Sequence, residues 1–246
     1  MTMKTPQPKR KRLTVEEALK LARENPANAA KFKALEEWSR PHVEEFLRAA
    51  APLLEELRQA GYSVRQSPQE LKWQYQRTKV RYPSAIPILV KWLPLISNPR
   101  VKTSILHALT VPWATEAAPA LISEFRRALG APPSDSIWKS AIGFALASMA
   151  DDTVFDDLVD LARDKRHGED RAPLVLALGN MKDGRAVDVL IELLQDGQVD
   201  DSAIMALGKL KAKRAEPYIE RFLSDPRTWV RREAMKSLGK IRKAAG

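Results

Sequence analysis

Three short phrases recur at a near-constant interval along the C-terminal half of this chain: PLVLALGNM, SAIMALGKL and MKSLGKI. Aligned on Ala177-Leu178-Gly179, Ala206-Leu207-Gly208 and Ser237-Leu238-Gly239, they stand 29 and 31 residues apart. Ala145-Leu146-Ala147 continues the series upstream by 32 residues. Ala108-Leu109-Thr110 continues it by a further 37, where Gly130–Asp135 supplies the excess. A period near thirty marks a unit that cannot cover its own apolar face and must stack on the next copy.

Each unit carries two helical patterns. In the first, apolar residues follow one stripe at i, i+3, i+4, i+7: Leu174, Ala177, Leu178 and Met181, then Val199, Ala203, Ala206, Leu207 and Leu210, then Val230, Ala234, Leu238 and Ile241. Small residues on this stripe, with Gly179, Gly208 and Gly239, allow neighbouring helices to approach closely or release the chain from the helix. The second pattern recurs as AIPILVKWL, AAPALISEF, VFDDLVDLA, AVDVLIELL and AEPYIERFL, with Pro87, Pro119 and Pro217 in the first turn, where a missing N–H costs nothing. Asn98-Pro99 and Asp225-Pro226 read as N-caps followed by proline.

The pattern D-P-x-x-x-V-R-x-x-A-x-x-x-L-G, carried here by Asp225, Pro226, Val230, Arg231, Ala234, Leu238 and Gly239, resembles the HEAT repeat, in particular its short, phycocyanobilin-lyase-type form. The resemblance runs from about Pro83 to Lys243. It implies an all-α fold: a right-handed α-solenoid of about five helix pairs over residues 83–246. One unit departs from the motif. RHGEDRAPLVLALG lacks the Asp-Pro, and Asp170 stands where other units have Val199 or Val230. Lyase activity does not follow from the repeat.

Residues 13–82 do not repeat. They read as a helical cap on the array, with capping boxes at Thr14-x-x-Glu17 and Ser67-Pro68-x-Glu70. Pro41 reads as the start of a further helix with the stripe Val43, Phe46, Leu47, Ala50, Leu54 and Leu57, and Gly61 as its stop. Residues 1–12 read as a disordered basic tail, since five cations and almost no apolar side chain cannot offset the entropy of ordering.

Composition narrows the chemistry. There is no cysteine, which removes disulfides, thiolate metal sites and cysteine nucleophiles. No apolar run approaches a bilayer span, and the polar, basic start lacks a signal-peptide core, so a cytoplasmic protein without membrane attachment is expected. His42, His107 and His167 show no metal-ligand spacing, and no phosphate-binding glycine loop or nucleophile elbow occurs, so no cofactor or metal is expected. The net charge of +10 comes in blocks. Residues 61–112 hold eight basic groups against one acid, 113–200 nine against sixteen, and 201–246 twelve against five. Such alternation suits a partner with its own charge pattern better than a continuous nucleic-acid track.

Two functional readings follow. The first is a non-catalytic scaffold for another macromolecule, most readily a protein, held by a monomer or weak oligomer. Its exposed contacts are then expected on the second helices, at Lys91, Glu124, Arg127, Asp157, Asp160, Glu192 and Arg221. The alternative is a nucleic-acid-binding protein. In ELKWQYQRTKVRY, the cations Lys72, Arg77, Lys79 and Arg81 interleave with Trp73, Tyr75 and Tyr82, an arrangement suited to phosphates and bases. The plainer reading of this stretch is an amphipathic helix with Leu71 and Tyr75 buried. Some alkylpurine DNA glycosylases are also built from HEAT-like repeats and use tryptophans with one carboxylate. Trp113 and Glu116, with Trp92 and Trp138 nearby, have that chemistry in type, while packing between units is their plainer role. The acids from Asp151 to Asp164 are expected to repel a strand laid along the array.

Overall fold

A computed structural model of the chain describes residues 25–130 and 136–244. The tail 1–12 and the Thr14 capping box lie outside the described residues. All regular structure among them is helical. The chain divides into two compact units, residues 1–48 and 49–246, and the division falls inside the long helix α1, Pro26–Gln59.

Pro41 does not open a helix; it lies in the interior of α1. Both Pro41 and Glu37, the residue four before it, are exposed, so the carbonyl that loses its N–H partner faces water. Val43 is exposed too, and Phe46 and Leu47 are half-buried. The buried stripe of α1 is therefore the later one: Ala50, Leu53, Leu54 and Leu57. Gly61 does end it. With φ +89 it lets Tyr62 N–H reach back to Leu57 O (3.0 Å), closing a Schellman turn. The Ser67 capping box forms only in part. Ser67 Oγ accepts from Gln69 N–H, and the Glu70 carboxylate accepts from Ser67 N–H (2.9 Å), but both bonds brace the turn before α2, Glu70–Thr78, whose N-cap is Gln69.

Five helix pairs follow, at the expected places: α3 Ala85–Trp92 with α4 Pro99–Leu109, α5 Ala118–Arg127 with α6 Ser136–Met149, α7 Phe155–Arg163 with α8 Ala172–Leu178, α9 Ala186–Leu193 with α10 Asp200–Leu210, and α11 Glu216–Glu220 with α12 Thr228–Lys243. They stack as an α-solenoid. The even-numbered helices from α4 to α12 form one row, each packed on the next. Their stripes are the core: Val101, Ile105, Ala108 and Leu109 in α4 are buried, as are Ala145, Leu178, Leu207 and Leu238 at the recurrent phrase.

Glycine sets the spacing of that row. A Cβ at Gly179 would come within 2.8 Å of Ala206 Cα, and one at Gly208 within 2.9 Å of Ser237 Cα. Gly143 is closed in the same way by Pro173. Gly239 meets nothing within 4 Å, because no helix stacks on α12 among the described residues. The close-approach role thus belongs to Gly143, Gly179 and Gly208. Gly179→Val is expected to destabilise by about 1–3 kcal/mol through overpacking against backbone, whereas Gly239→Ala is expected to be neutral or slightly stabilising. Thermal melts of the two variants check the contrast.

Asn98 caps α4 as read, accepting from Arg100 N–H and Val101 N–H. Asp225 does not cap α12. The helix begins at Thr228, and the Asp225 carboxylate instead accepts from Arg227 N–H (2.8 Å) and clamps the Arg227 guanidinium in the preceding turn.

In four of the five units one position carries a charge that is buried or, at Lys102, half-buried. It is the residue after Val101, Trp138, Asp170 and Val199, at Lys102, Lys139, Arg171 and Asp200. Lys102 pairs with Glu124 (2.8 Å), Lys139 with Asp170 (3.0 Å), Arg171 with Asp196 (2.9 Å) and Asp200 with Arg227 (2.5 Å). Asp170, out of place in the apolar column, is there as the counter-ion of the buried Lys139.

Candidate functional site

The charges expected to face a partner are largely occupied by the neighbouring unit. Lys91 pairs with Glu56 (2.8 Å), Asp157 with Arg126 (2.5 Å) and Glu192 with Arg163 (2.5 Å). Arg221 lies over the Phe222 ring. Glu124 corrects the expectation outright. It is only 4% exposed and is held by Lys102 and Arg127. It lies there because burying Lys102 requires a counter-charge. Asp160 remains exposed beside Arg126, Asp164 and Arg166. The acids between 151 and 164 are likewise braced. Asp156 pairs with Arg185 (2.8 Å), and the Arg166 guanidinium holds the Asp164 carboxyl down to about 2.

Two surfaces are left. The first lies on the even-numbered row. The residue just before each recurrent phrase forms a column across the helices: Phe144 on α6, Leu176 on α8, Met205 on α10 and Lys236 on α12. Together with Asn180, Lys209 and Lys240 they line a shallow groove of about 300 Å³. Phe144 is 52% exposed, and Met205 and the neighbouring Met235 are exposed as well. Asn180 bridges the row, donating to Ala147 O (2.6 Å) and accepting from Lys209. The sequence signal was available: one repeat position carries Phe, Leu and Met where an isolated surface helix would carry polar residues.

The second surface lies at α2. A groove of about 640 Å³ is lined by Tyr62, Arg65, Trp73, Arg77, Arg81 and Tyr82, among others. Trp73 and Arg77 share a face at i, i+4, and Trp73 is 54% exposed. Lys79 ends α2 in the left-handed conformation (φ 62) and turns the chain so that Arg81 returns to the groove. Burial pushes the Glu70 carboxyl up, but backbone N–H donors from Gln66, Arg65 and Ser67 outweigh it and hold the group below its ordinary value. Its oxygens are thus already engaged. Of the residues read as a nucleic-acid contact, Trp73, Arg77 and Arg81 line the groove. Lys72 is half-buried, which lowers its pKa, and neither it nor Lys79 lines the groove.

Trp113 is brought to this site, but behind it. Its ring meets Tyr75 edge-on (4.4 Å), then Tyr82 (5.8 Å), and the Arg81 guanidinium covers it at 5.1 Å. Those neighbours occupy the faces that would grip a nucleotide. Glu116 is exposed in a short 3-10 turn, Thr115–Ala117, and does not line the groove. Trp138 is buried under Lys102, and Trp92 donates to Glu56. Leu71 is buried and Tyr75 half-buried, as the amphipathic reading of α2 requires.

Against this geometry, the repeat family described as HEAT repeats matches residues 196–245, and the PBS lyase HEAT-like repeat matches residues 171–196. Residues 171–245 of the chain carry HEAT repeats. Both HEAT matches fall on the C-terminal units, where the motif is most regular. Among solved structures, this HEAT-repeat chain is similar to the designed armadillo repeat protein YIII(Dq)4CqI at 16% identity. That alignment covers 71% of this chain and 87% of the other, with a TM-score of 0.41. No curated protein sequence matches the HEAT-repeat chain. No helix among its described residues is long and apolar enough to cross a membrane.

Proposed function

We propose that this HEAT-repeat protein is a non-catalytic scaffold that binds another protein along its even-numbered helices. The observation that carries the reading is the column Phe144, Leu176 and Met205, with Phe144 and Met205 exposed and Leu176 half-buried, one apolar residue from each of three successive units, bordered by Lys209, Lys236 and Lys240 with the single acid Glu233. Soluble repeat arrays keep such a column polar unless something covers it. The bordering lysines favour a partner segment with apolar anchors and flanking acids. Basic character at the C-terminal units serves the same recognition. The second-helix charges are assigned to holding units together rather than to the partner.

The experiment is affinity capture on wild type and on Phe144→Glu/Met205→Glu, with bound proteins identified by mass spectrometry. The expected result is a defined protein recovered with wild type and lost by at least about ten-fold with the variant, which corresponds to a change of about 1.4 kcal/mol. Both side chains are exposed, so the melting temperature is expected to be unchanged. Equal recovery with both proteins would overturn the assignment of the surface.

A further inference from the structure

We infer that the groove between the loop 62–65 and helix α2 binds single-stranded nucleic acid, with Arg65, Arg77 and Arg81 on its phosphates and the exposed face of Trp73 stacked on a base. This inference does not rest on the scaffold reading, since the groove lies apart from the Phe144 column.

Several exposed arginines of the array are answered by acids: Arg126 by Asp157, Arg163 by Glu192, Arg185 by Asp156 and Arg214 by Asp188. Among the described residues Arg77 and Arg81 make no ion pair, and the one carboxylate lining the groove, Glu70, is held by three backbone donors and by the charge of Arg65. Three guanidinium groups therefore line a cavity that holds a single carboxylate, which leaves it with a surplus of positive charge. Guanidinium forks match phosphate oxygens.

Shape and preorganisation select among anions. Trp73 presents an indole that is more than half exposed, one helical turn from Arg77. A flat ring beside cations fits a ligand that alternates anions with flat rings, as a single strand does. An acidic peptide supplies the charges but no ring to stack. A duplex supplies phosphates but keeps its bases stacked away from Trp73. The walls are already fixed. Gln74 Nε2 donates to Ser63 O (2.6 Å), Arg58 donates to Val64 O (3.0 Å) and Arg65 O (2.9 Å), and Thr78 Oγ1 accepts from Val80 N–H (3.2 Å). The volume of about 640 Å³ accommodates a nucleotide unit rather than a folded surface.

The test is fluorescence anisotropy on the full chain with a fluorescein-labelled oligothymidine, at about 0.15 M salt, where exposed charges are screened beyond about 8 Å. The comparison ligands are the matching duplex and an oligoglutamate peptide. Wild type is expected to bind the single strand at least about ten-fold more tightly than either. Arg77→Ala/Arg81→Ala is expected to weaken binding at least about ten-fold and to flatten the log–log salt slope by about 1.4, since each single-strand phosphate contact contributes about 0.7. Arg65→Ala/Arg77→Ala, which leaves the cover of Trp113 in place, is expected to do the same. Trp73→Ala is expected to weaken binding about five-fold or more with the slope unchanged, because stacking carries no counterion term. Lys213→Ala/Lys243→Ala removes equal charge elsewhere, outside both grooves, and is expected to change little. Absence of single-strand binding at this salt overturns the inference. So does an equal loss in the lysine control, or equal affinity for the duplex or the peptide.

Discussion

Leu207→Asp is expected to unfold the C-terminal half of the array while leaving the N-terminal helices folded. Leu207 is fully buried on α10, between α8 and α12. Removing the side chain alone costs about 2–5 kcal/mol in lost burial and cavity. The carboxylate that replaces it must be buried without a partner or protonated, and either adds to the loss. The total reaches the whole stability of a small domain, about 5–15 kcal/mol. In a stack where each unit touches only its neighbours, the loss stays near its origin. Limited proteolysis should therefore release fragments beginning after α8, with the melting transition lowered or split. A wild-type melting temperature would show that the stripe is not buried.

Arg171→Ala is the second large effect expected. Arg171 is fully buried and donates to Gly168 O (2.8 Å), Ala162 O (2.9 Å), Asp196 (2.9 Å) and the Gln198 side chain (2.8 Å). It ties the end of α7, the irregular turn before α8 and the loop before α10 into one knot. Removing it leaves two carbonyls and the buried Asp196 carboxylate without their donor, at a cost of about 3–5 kcal/mol. The pH dependence gives an independent reading. Burial raises the Asp196 pKa, but the hydrogen bond and charge of Arg171, the Gln198 N–H and the Lys165 charge together outweigh it, so the group lies below its ordinary value in the folded state. A depressed carboxyl contributes stability that is present above the unfolded pKa, about 3.9, and is lost as pH falls through the folded value. Acid melts of wild type should show that loss. In Arg171→Ala, the contribution should be reduced or reversed, because the burial that raises the pKa is then opposed only by the Gln198 N–H and the Lys165 charge. An Arg171→Met/Asp196→Leu pair should recover much of the stability, since neither charge is then stranded.

The fold was legible in the sequence because period and stripe act locally. Leu178, Leu207 and Leu238 are buried for the reason their spacing states. Pro41 misled because a proline on an exposed helical face costs less than it does against a core. Asp225 misled because an Asx turn and an N-cap begin with the same residues. The candidate site was less legible. Exposure on the second helices was inferred one helix at a time, yet Arg126–Asp157 and Arg163–Glu192 join residues 31 and 29 apart, one repeat length. The repeat that fixed the core also encodes those pairs, as opposite charges one period away. Trp113 and the α2 cations came together only through tertiary packing, since Arg81 and Trp113 lie in different units. The column of Phe144, Leu176 and Met205 was present at a fixed offset from the recurrent phrase, but a sequence cannot show on which side of a stripe the helix ends up bare.

The buried charges at Lys102, Lys139, Arg171 and Asp200 differ from junction to junction in sign, in length and in the element that supplies the counter-ion. An array held only by aliphatic stripes would tolerate its modules in any order. Here, exchanging the third and fourth modules would part Lys139 from Asp170, which moves with the third, and Asp200 from Arg227, which stays in the fifth. The units are written in a common alphabet, but their order is fixed, and the chain cannot be shortened, lengthened or permuted by whole repeats without rewriting the lock at each new seam.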